Sequence, residues 1–341
     1  MPIICLIDKF VAAELPLIDV RSPGEFAQGH IPGANNIPLF SDAERAVVGT
    51  LYKQQGRDAA MLEGLRLVGP KLAGIVEQAK AMAPDGKVRV HCWRGGERSA
   101  SVAWLLEKAA GMQVFTLKQG YKAFRHHVLQ SFILPRRLHI LGGYTGTGKT
   151  QLLKHLEAHG QQVLDLEGLA NHKGSSYGGI GTGQQPSTEH FENLIWDRLR
   201  HLDPERPTWV EDESQLVGRA KIPDAFFARM RTAHLFFVDR PQEERVDRLV
   251  HDYGAYPKQD LADATLRLRK RLGPQNTKAA LEALDKGALH DVARITLGYY
   301  DKTYRHGLAS RSPGQTTIIP VDGLDEEGIT AQLMQHGNPR T

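Results

Sequence analysis

The sequence predicts an α/β protein built from two domains, each with its own parallel sheet. Three observations lead to this prediction: the chain length, short β-rich runs that alternate with helical patterns, and a glycine-rich turn that restarts the alternation after Pro135. The 341 residues exceed the ~250–300 at which single cores usually stop growing. We therefore expect an N-terminal domain over residues 1–134 and a C-terminal domain over residues 135–341.

Composition narrows the class of protein further. The chain carries 43 basic and 39 acidic residues, a formal net charge of +4, so any anion-binding role must come from local clusters. The two cysteines, Cys5 and Cys92, have no spacing that indicates a disulfide framework or a metal site. No run approaches the ~20 apolar residues that span a bilayer. We expect a soluble, cytoplasmic protein with no membrane segment.

The first domain shows the βαβ pattern. Three β-rich runs, each bounded by turn residues, predict its strands: Leu17–Val20, Lys87–His91 and Gln113–Leu117. Helical patterns separate these runs, and this alternation is typical of a parallel sheet. The N-terminal domain is therefore predicted to have a single parallel sheet covered by helices.

The second domain repeats the pattern and then becomes helical. A strand over Arg137–Leu141, a helix over Thr150–His159 and a strand over Gln162–Leu166 are predicted in sequence. After Pro241, amphipathic periodicity predicts helical segments over Glu244–Tyr253, Leu261–Leu272 and Leu281–Tyr304. We expect an α/β domain with a helical C-terminal part.

The loop after the second predicted strand contains a candidate nucleophile. His91 and Cys92 end the strand, and a helix is expected to begin near Ser99. The loop amides, the helix N-terminus and the side chains of Arg94 and Arg98 would all favour a thiolate at Cys92. The sequence therefore predicts Cys92, Arg94 and Arg98 as catalytic residues near neutral pH.

Two other interpretations of this loop stay open. A lone cysteine at a strand end is often a buried, inert residue. The loop also has the His-Cys-x5-Arg spacing of cysteine phosphatases, in which the arginine binds phosphate oxygens. Glu97 would place a carboxylate inside that loop, and no general-acid aspartate is evident nearby. A tetrahedral anion fits both an enzyme that removes phosphate and one that uses selenophosphate or thiophosphate.

Residues 1 to 130 resemble the rhodanese family. The resemblance is carried by the Cys92 loop and by two other segments, Leu17–Phe26 and Gly29–Ala34. It implies a rhodanese-like domain whose loop cysteine carries a persulfide or a related chalcogen. It also implies that four polar residues near the loop are architectural: Asp19, Arg21, Glu25 and His30.

The glycine-rich turn of the second domain satisfies the P-loop pattern G-x4-G-K-[ST]. It lies between a predicted strand and a predicted helix, the context that the motif requires. Its amides would hold a phosphate or diphosphate, the lysine would neutralise it, and a Mg²⁺ ion could bind at the final hydroxyl. No dedicated metal site and no tightly bound cofactor are predicted. The candidate binding residues are Gly143, Thr145, Gly146, Thr147, Gly148, Lys149 and Thr150.

Two runs could supply the acidic element that accompanies a P-loop. Trp209–Ser214 and Leu235–Asp239 both look like strands that end in an acid. We favour the first because it clusters three carboxylates, Glu211, Asp212 and Glu213, although an exposed acidic edge would look the same. The second run fits a plain buried strand.

A glycine-rich segment over residues 173–186 interrupts the second βαβ pattern. It is too rich in glycine for a regular element, and loops of this length are often lids over a site. We interpret it as a mobile substrate flap in preference to a linker. The flap residues are Ser175, Ser176, Tyr177, Gly178 and Gly179.

Basic and aromatic residues recur on the C-terminal helices. Such helices could bind RNA, since cations contact phosphates and tyrosines stack on unpaired bases. A charged helix face is more often merely solvated. The candidate RNA-binding residues are Arg267, Arg269, Lys270, Arg271, Tyr300 and Arg305.

Taken together, these motifs resemble the tRNA 2-selenouridine synthase family almost from end to end. The resemblance implies that selenium replaces sulfur at a wobble 2-thiouridine of tRNA, after S-geranylation from geranyl diphosphate. It implies selenophosphate as the selenium donor, supplied by a selenophosphate synthase. The alternatives are a P-loop kinase with a rhodanese module, a rhodanese-fold cysteine phosphatase and a pure RNA-binding adaptor. The adaptor would not account for either of the two anion-binding loops.

Overall fold

The computed structural model describes residues 1–309 and 311–337. The chain divides into two compact units, Met1–Ser131 and Phe132–Thr341, and the predicted boundary at residue 134 lies just after this division. None of the helices in the described ranges is both long and apolar enough to cross a membrane.

Unit 1 contains a five-stranded parallel sheet with the order β1-β5-β4-β2-β3. The strands are β1 (Ile3–Cys5), β2 (Leu17–Asp19), β3 (Asn35–Asn36), β4 (Lys87–His91) and β5 (Gln113–Leu117). The helices are α1 (Ile7–Ala12), α2 (Pro23–Gln28), α3 (Asp42–Gln55), α4 (Arg57–Val68), α5 (Leu72–Met82), α6 (Glu97–Ala110) and α7 (Gly120–Ser131). The predicted parallel sheet and its three predicted strands are confirmed.

Strand β4 shows how the sheet of unit 1 buries both faces. Val88 and Val90 are fully buried in a cluster with residues of α5 and α6. Arg89 points to the other face, where its guanidinium donates to the carbonyls of Phe10 and Leu15 at 2.7 and 2.6 Å. Alternation along a strand thus places α1 and the α5–α6 pair on opposite sides of the sheet.

Unit 2 contains a second five-stranded parallel sheet with the order β12-β11-β6-β8-β7. The strands are β6 (Leu138–Gly143), β7 (Gln162–Leu164), β8 (Thr208–Glu211), β9 (Leu216–Val217), β10 (Ala220–Lys221), β11 (His234–Asp239) and β12 (Thr316–Pro320), of which β9 and β10 form a separate hairpin. The first helices are α8 (Lys149–Ala158), α9 (Leu166–Ala170), α10 (Thr188–Arg200) and α11 (Asp224–Thr232). The remaining helices are α12 (Gln242–Tyr253), α13 (Lys258–Arg267), α14 (Arg269–Leu272), α15 (Pro274–Asp285), α16 (Leu289–Ala309) and α17 (Glu326–Gly337).

The helical C-terminal part is confirmed, with two corrections to its predicted elements, and a third correction concerns an earlier strand of unit 2. The predicted helical segment Leu281–Tyr304 is two helices, α15 and α16, because Gly287 between them adopts a left-handed φ of 73°. The segment Leu261–Leu272 likewise divides into α13 and α14. The predicted strand Gln162–Leu166 ends at Leu164, since the Asp165 side chain accepts a hydrogen bond from the Gly168 amide and begins α9.

The sheet order of unit 2 places β6 between two acid-ended strands. On one side Glu211 of β8 pairs in register with Leu141, and on the other Val238 of β11 pairs with Gly143. Leu141, Trp209, Phe236 and other apolar residues form the core on one face of this sheet. The loop that follows β6 therefore opens at the centre of the sheet's carboxyl edge, the usual place for a ligand in parallel α/β folds.

Candidate active-site loops

The Cys92 loop connects the end of β4 to the first turn of α6. Cys92 is only 3% exposed, and its Sγ lies 3.2 Å from Oγ of Ser99 in that turn. Ser99 also donates to the carbonyl of Gly96 at 3.2 Å. The sulfur therefore lies at a helix N-terminus, where the free amides and the helix dipole favour negative charge.

Two glycines fix the shape of this loop. Gly95 and Gly120 have left-handed φ values of 65° and 58°. A Cβ on Gly95 would lie 2.5 Å from the Leu117 carbonyl oxygen, and one on Gly120 would lie 2.3 Å from that of Cys92. The same Cys92 carbonyl accepts a hydrogen bond from the amide of Tyr121 at 2.8 Å. The loop thus packs directly against the start of α7, and neither position can hold a side chain without displacement.

The two arginines predicted beside Cys92 have different surroundings. Arg94 is exposed, whereas Arg98 donates to Oε2 and Oε1 of Glu25 at 2.7 and 3.4 Å. Burial alone would raise the pKa of Glu25, but Arg98 lowers it below its ordinary value. Glu97 also turns outward and pairs with Arg57 at 2.8 Å. Glu25 therefore positions Arg98, and the predicted catalytic role of both arginines stays a prediction.

A buried polar network lies below the loop. Arg21 pairs with Asp19 at 2.6 Å and donates to the carbonyl of Gly29 at 2.7 Å, with both side chains of the pair fully buried. Its guanidinium carbon lies 3.7 Å from the centre of the Tyr121 ring. Burial lowers the pKa of His91, whose Nε2 lies 3.7 Å from Asp19. These contacts suit the architectural interpretation of Asp19 and Arg21.

The P-loop lies between β6 and α8, and its glycines have the conformations that an anion cradle needs. Gly146 and Gly148 have left-handed φ values of 83° and 88°. A Cβ on Gly146 would lie 2.9 Å from the carbonyl oxygen of Arg245. Lys149 begins α8 and donates from Nζ to the carbonyl of Gly143 at 3.2 Å, across the loop. The lysine and the amides at the start of α8 thus converge on one side of the loop.

Two of the three predicted acids, Glu211 and Glu213, are buried beside the P-loop. Thr150 donates to Oε2 of Glu167 at 3.0 Å, and the Glu167 amide donates to Glu211 at 2.7 Å. Burial and then the charge of Glu167 raise the pKa of Glu213 to about 8, and burial raises that of Glu211 well above its ordinary value. Burial alone would lower the pKa of Lys149, but Tyr304 and the nearby carboxylates raise it.

The third predicted acid, Asp212, lies apart from the carboxyl pair. Its Oδ1 accepts from Arg231 at 2.9 Å and from Arg311 at 3.0 Å. Within residues 1–309 and 311–337, no three His, Cys, Asp or Glu side chains are arranged as metal ligands. The alternative acidic run around Asp239 is β11, a strand whose middle residues are buried, as predicted.

An ion pair that the sequence did not indicate supports the P-loop. Arg245 of α12 donates to both carboxylate oxygens of Asp301 on α16, at 2.9 and 2.8 Å, and both residues are buried. The same guanidinium donates to the carbonyl of Thr145 at 3.2 Å. The partners are 56 residues apart in sequence, so no local spacing could have revealed them.

The predicted flap is an irregular loop, and hydrogen bonds hold it against the C-terminal helices. The amide of Ser176 donates to the Tyr300 hydroxyl at 3.0 Å, and Arg267 donates to the Ser176 carbonyl at 3.0 Å. The hydroxyl of Tyr177 lies 2.7 Å from that of Thr265 on α13. The flap thus has defined partners, and its role in covering a substrate stays a prediction.

The predicted tRNA-binding residues fall into two groups. Arg267 and Tyr300 contact the flap, as described above. The others are exposed on α14 and α16 and are available to an external partner: Arg269, Lys270, Arg271 and Arg305.

These features define the class of protein: a rhodanese-like domain with a buried loop cysteine, joined to a P-loop domain. The rhodanese-like domain family matches residues 6–127, and the family described as the tRNA 2-selenouridine synthase AAA domain matches residues 136–319. The chain belongs to the tRNA 2-selenouridine synthase family.

Curated relatives agree over most of the chain. A tRNA 2-selenouridine synthase of Hydrogenovibrio crunogenus is 35% identical over 89% of this chain and 92% of the relative. One of Sulfurovum sp. is 39% identical over 87% of this chain and 89% of the relative. One of Nitrosomonas europaea is 39% identical over 71% of this chain, but the chain spans only 64% of that relative's length.

Proposed function

We propose that this protein is a tRNA-modifying transferase that replaces the sulfur of a wobble 2-thiouridine by selenium. The observation that carries the proposal is the presence of two anion-binding loops with different chemistry on one chain. The Cys92 loop combines a helix N-terminus with a buried thiol, whereas the P-loop combines a helix N-terminus with a lysine. Membership of the tRNA 2-selenouridine synthase family supports tRNA as the substrate.

Two loops suit a reaction of two steps. A thiocarbonyl sulfur is a poor leaving group, and alkylation converts it to a better one. In the first step, C1 of geranyl diphosphate bonds to the sulfur, and diphosphate leaves with the electron pair of the broken C–O bond. Lys149 and the P-loop amides would stabilise the charge on that leaving group without hydrolysing a nucleotide.

In the second step, selenium from selenophosphate bonds to C2 of the base, and geranylthiolate leaves. The Cys92 loop would hold the tetrahedral selenophosphate, whose phosphorus is released as phosphate after water takes the place of selenium. Arg94 is exposed at this loop, so it is the side chain that we expect to contact the incoming anion. A selenophosphate synthase in the cytoplasm would supply the donor.

The experiment is to incubate the protein with thiolated tRNA, geranyl diphosphate and selenophosphate, and to analyse the nucleosides by mass spectrometry. Wild type should give 2-selenouridine. Lys149→Ala should form no S-geranyl nucleoside yet convert tRNA that is already geranylated, and Cys92→Ser should accumulate the S-geranyl nucleoside. The exposed Lys154 and the half-buried Cys5 provide matched controls, Lys154→Ala and Cys5→Ser, that should behave as wild type.

Other outcomes would favour the alternatives. Loss of both steps in either variant would refute the assignment of one step to each loop. A phosphorylated product or nucleotide hydrolysis that depends on Lys149 would favour a kinase. Hydrolysis of an aryl phosphate that depends on Cys92 would favour a phosphatase, and no rival predicts a change in mass at the base.

A further inference from the structure

An apolar chamber adjoins the P-loop within unit 2. Helices α12, α13 and α16 form its walls together with the flap, and the empty space between them, part of it open to solvent, is about 540 Å³. Leu249, Val250, Leu289 and Val292 supply much of its surface. The P-loop motif alone does not require such a chamber.

The chamber lies next to the phosphate cradle and shares a residue with it. Thr145 is a member of the P-loop and also lines the chamber. Leu249, another lining residue, packs against the loop, since its Cγ would lie 3.2 Å from a Cβ on Gly146. The Arg245–Asp301 pair holds the Thr145 carbonyl in place from α12 and α16, the same helices that line the chamber. An anion in the cradle therefore has an apolar space beside it.

The polar groups of the chamber bind one another. The Tyr177 hydroxyl pairs with Thr265, and the Tyr300 hydroxyl accepts from the Ser176 amide. Thr296 donates to the carbonyl of Val292 in its own helix. A purine or pyrimidine buried here would leave its own polar edge without partners, which is costly, whereas a hydrocarbon loses nothing.

We propose that this chamber binds the prenyl chain of the diphosphate held by the P-loop, and that its depth selects the length of that chain. The proposal rests on the proposed function, since it takes a prenyl diphosphate as the ligand of the P-loop. Ser175 and Tyr177 of the flap line the chamber. The flap would thereby exclude water while the allylic C–O bond breaks, which favours transfer to the thiouridine over hydrolysis.

The test compares prenyl diphosphates that differ by one isoprene unit. Val250 and Leu289 are half-buried, so changing them should spare the fold. Val250→Phe shortens the chamber and should lower kcat/KM for geranyl diphosphate at least tenfold, because even one methylene in an apolar site is worth about tenfold or more. It should retain activity with dimethylallyl diphosphate. Leu289→Ala enlarges the chamber and should raise kcat/KM for farnesyl diphosphate relative to geranyl diphosphate.

Binding of inorganic pyrophosphate tests the P-loop cradle independently of the chamber. Both variants should bind inorganic pyrophosphate as wild type does, because the P-loop is intact. Leu308→Ala, at a half-buried leucine of α16 outside the chamber, should change no preference for chain length. Unchanged preference in Val250→Phe and Leu289→Ala, with geranyl transfer intact, would overturn the chamber proposal alone. If wild type binds ADP but no prenyl diphosphate, the proposed function itself fails.

Discussion

The Glu213–Glu167 pair beside the P-loop should make the stability of unit 2 depend on pH, and Glu213→Gln should reduce that dependence. A side-chain hydrogen bond joins Glu213 to Glu167, and burial followed by the Glu167 charge raises the pKa of Glu213 from 4.5 to about 8. The folded state therefore holds this proton more tightly than the unfolded state. Its stabilising contribution is complete below about pH 4.5 and is lost as the pH rises through about 8.

The magnitude follows from the two pKa values. Each factor of ten in proton affinity corresponds to about 1.4 kcal/mol, so full loss over this interval is at most about 5 kcal/mol. Glu167 shares the proton, and the cation of Lys149 offsets part of the charge. We expect wild type to lose about 2–4 kcal/mol relative to the E213Q variant between pH 5 and pH 9.

Urea unfolding monitored by tryptophan fluorescence measures this difference. Replacing Trp93 and Trp104 by phenylalanine leaves Trp196 and Trp209 as the emitting tryptophans, both in unit 2. Glu205→Gln, at an exposed acid of the same unit, is the matched control and should keep the wild-type dependence. If the free energies of unfolding of wild type and E213Q change by the same amount between the two pH values, the assignment of the proton to this pair is wrong.

Two further predictions concern the supports of the two loops. Gly120→Ala should destabilise unit 1 by about 2 kcal/mol or more beyond Gly111→Ala, since both glycines have a left-handed φ but only a Cβ on Gly120 meets a carbonyl, that of Cys92; equal melting temperatures would contradict this. Arg245→Met should cost unit 2 about 3–5 kcal/mol by leaving Asp301 buried without its partner. Adding Asp301→Leu should restore part of that loss, and simple additivity in urea unfolding would show that the pair is not coupled.

Local patterns in the sequence predicted the sheets of the fold well. Strands β4 and β5 have the predicted bounds, because each is a short β-rich run between turn residues. Strand β12 was not predicted, although Thr316–Ile319 is a run of β-branched residues. This run is short and follows a long helical pattern. The break at Gly287 was missed because one glycine inside an apolar periodicity does not by itself end a helix.

The candidate sites were predictable only where their residues are neighbours in sequence. The Cys92 loop and the P-loop are contiguous motifs, and the structure folds each of them around a helix N-terminus. The Glu25–Arg98 and Arg245–Asp301 pairs join distant segments, and Asp212 differs from its neighbours Glu211 and Glu213 because two distant arginines bind it. These roles are decided by tertiary contacts that no local spacing encodes.

Under the proposed function, the hydrogen bonds of the flap bear on the rate of turnover. It makes hydrogen bonds with Thr265, Arg267 and Tyr300, and each is worth about 1 kcal/mol. Opening would then cost about 3 kcal/mol, so only about one molecule in a hundred would be open at a given moment. A donor would enter through that minority and be retained after closure. Removing one of these hydrogen bonds, as in Tyr300→Phe, should therefore speed both the entry and the release of the donor. A larger share of bound donor would then leave before it is transferred.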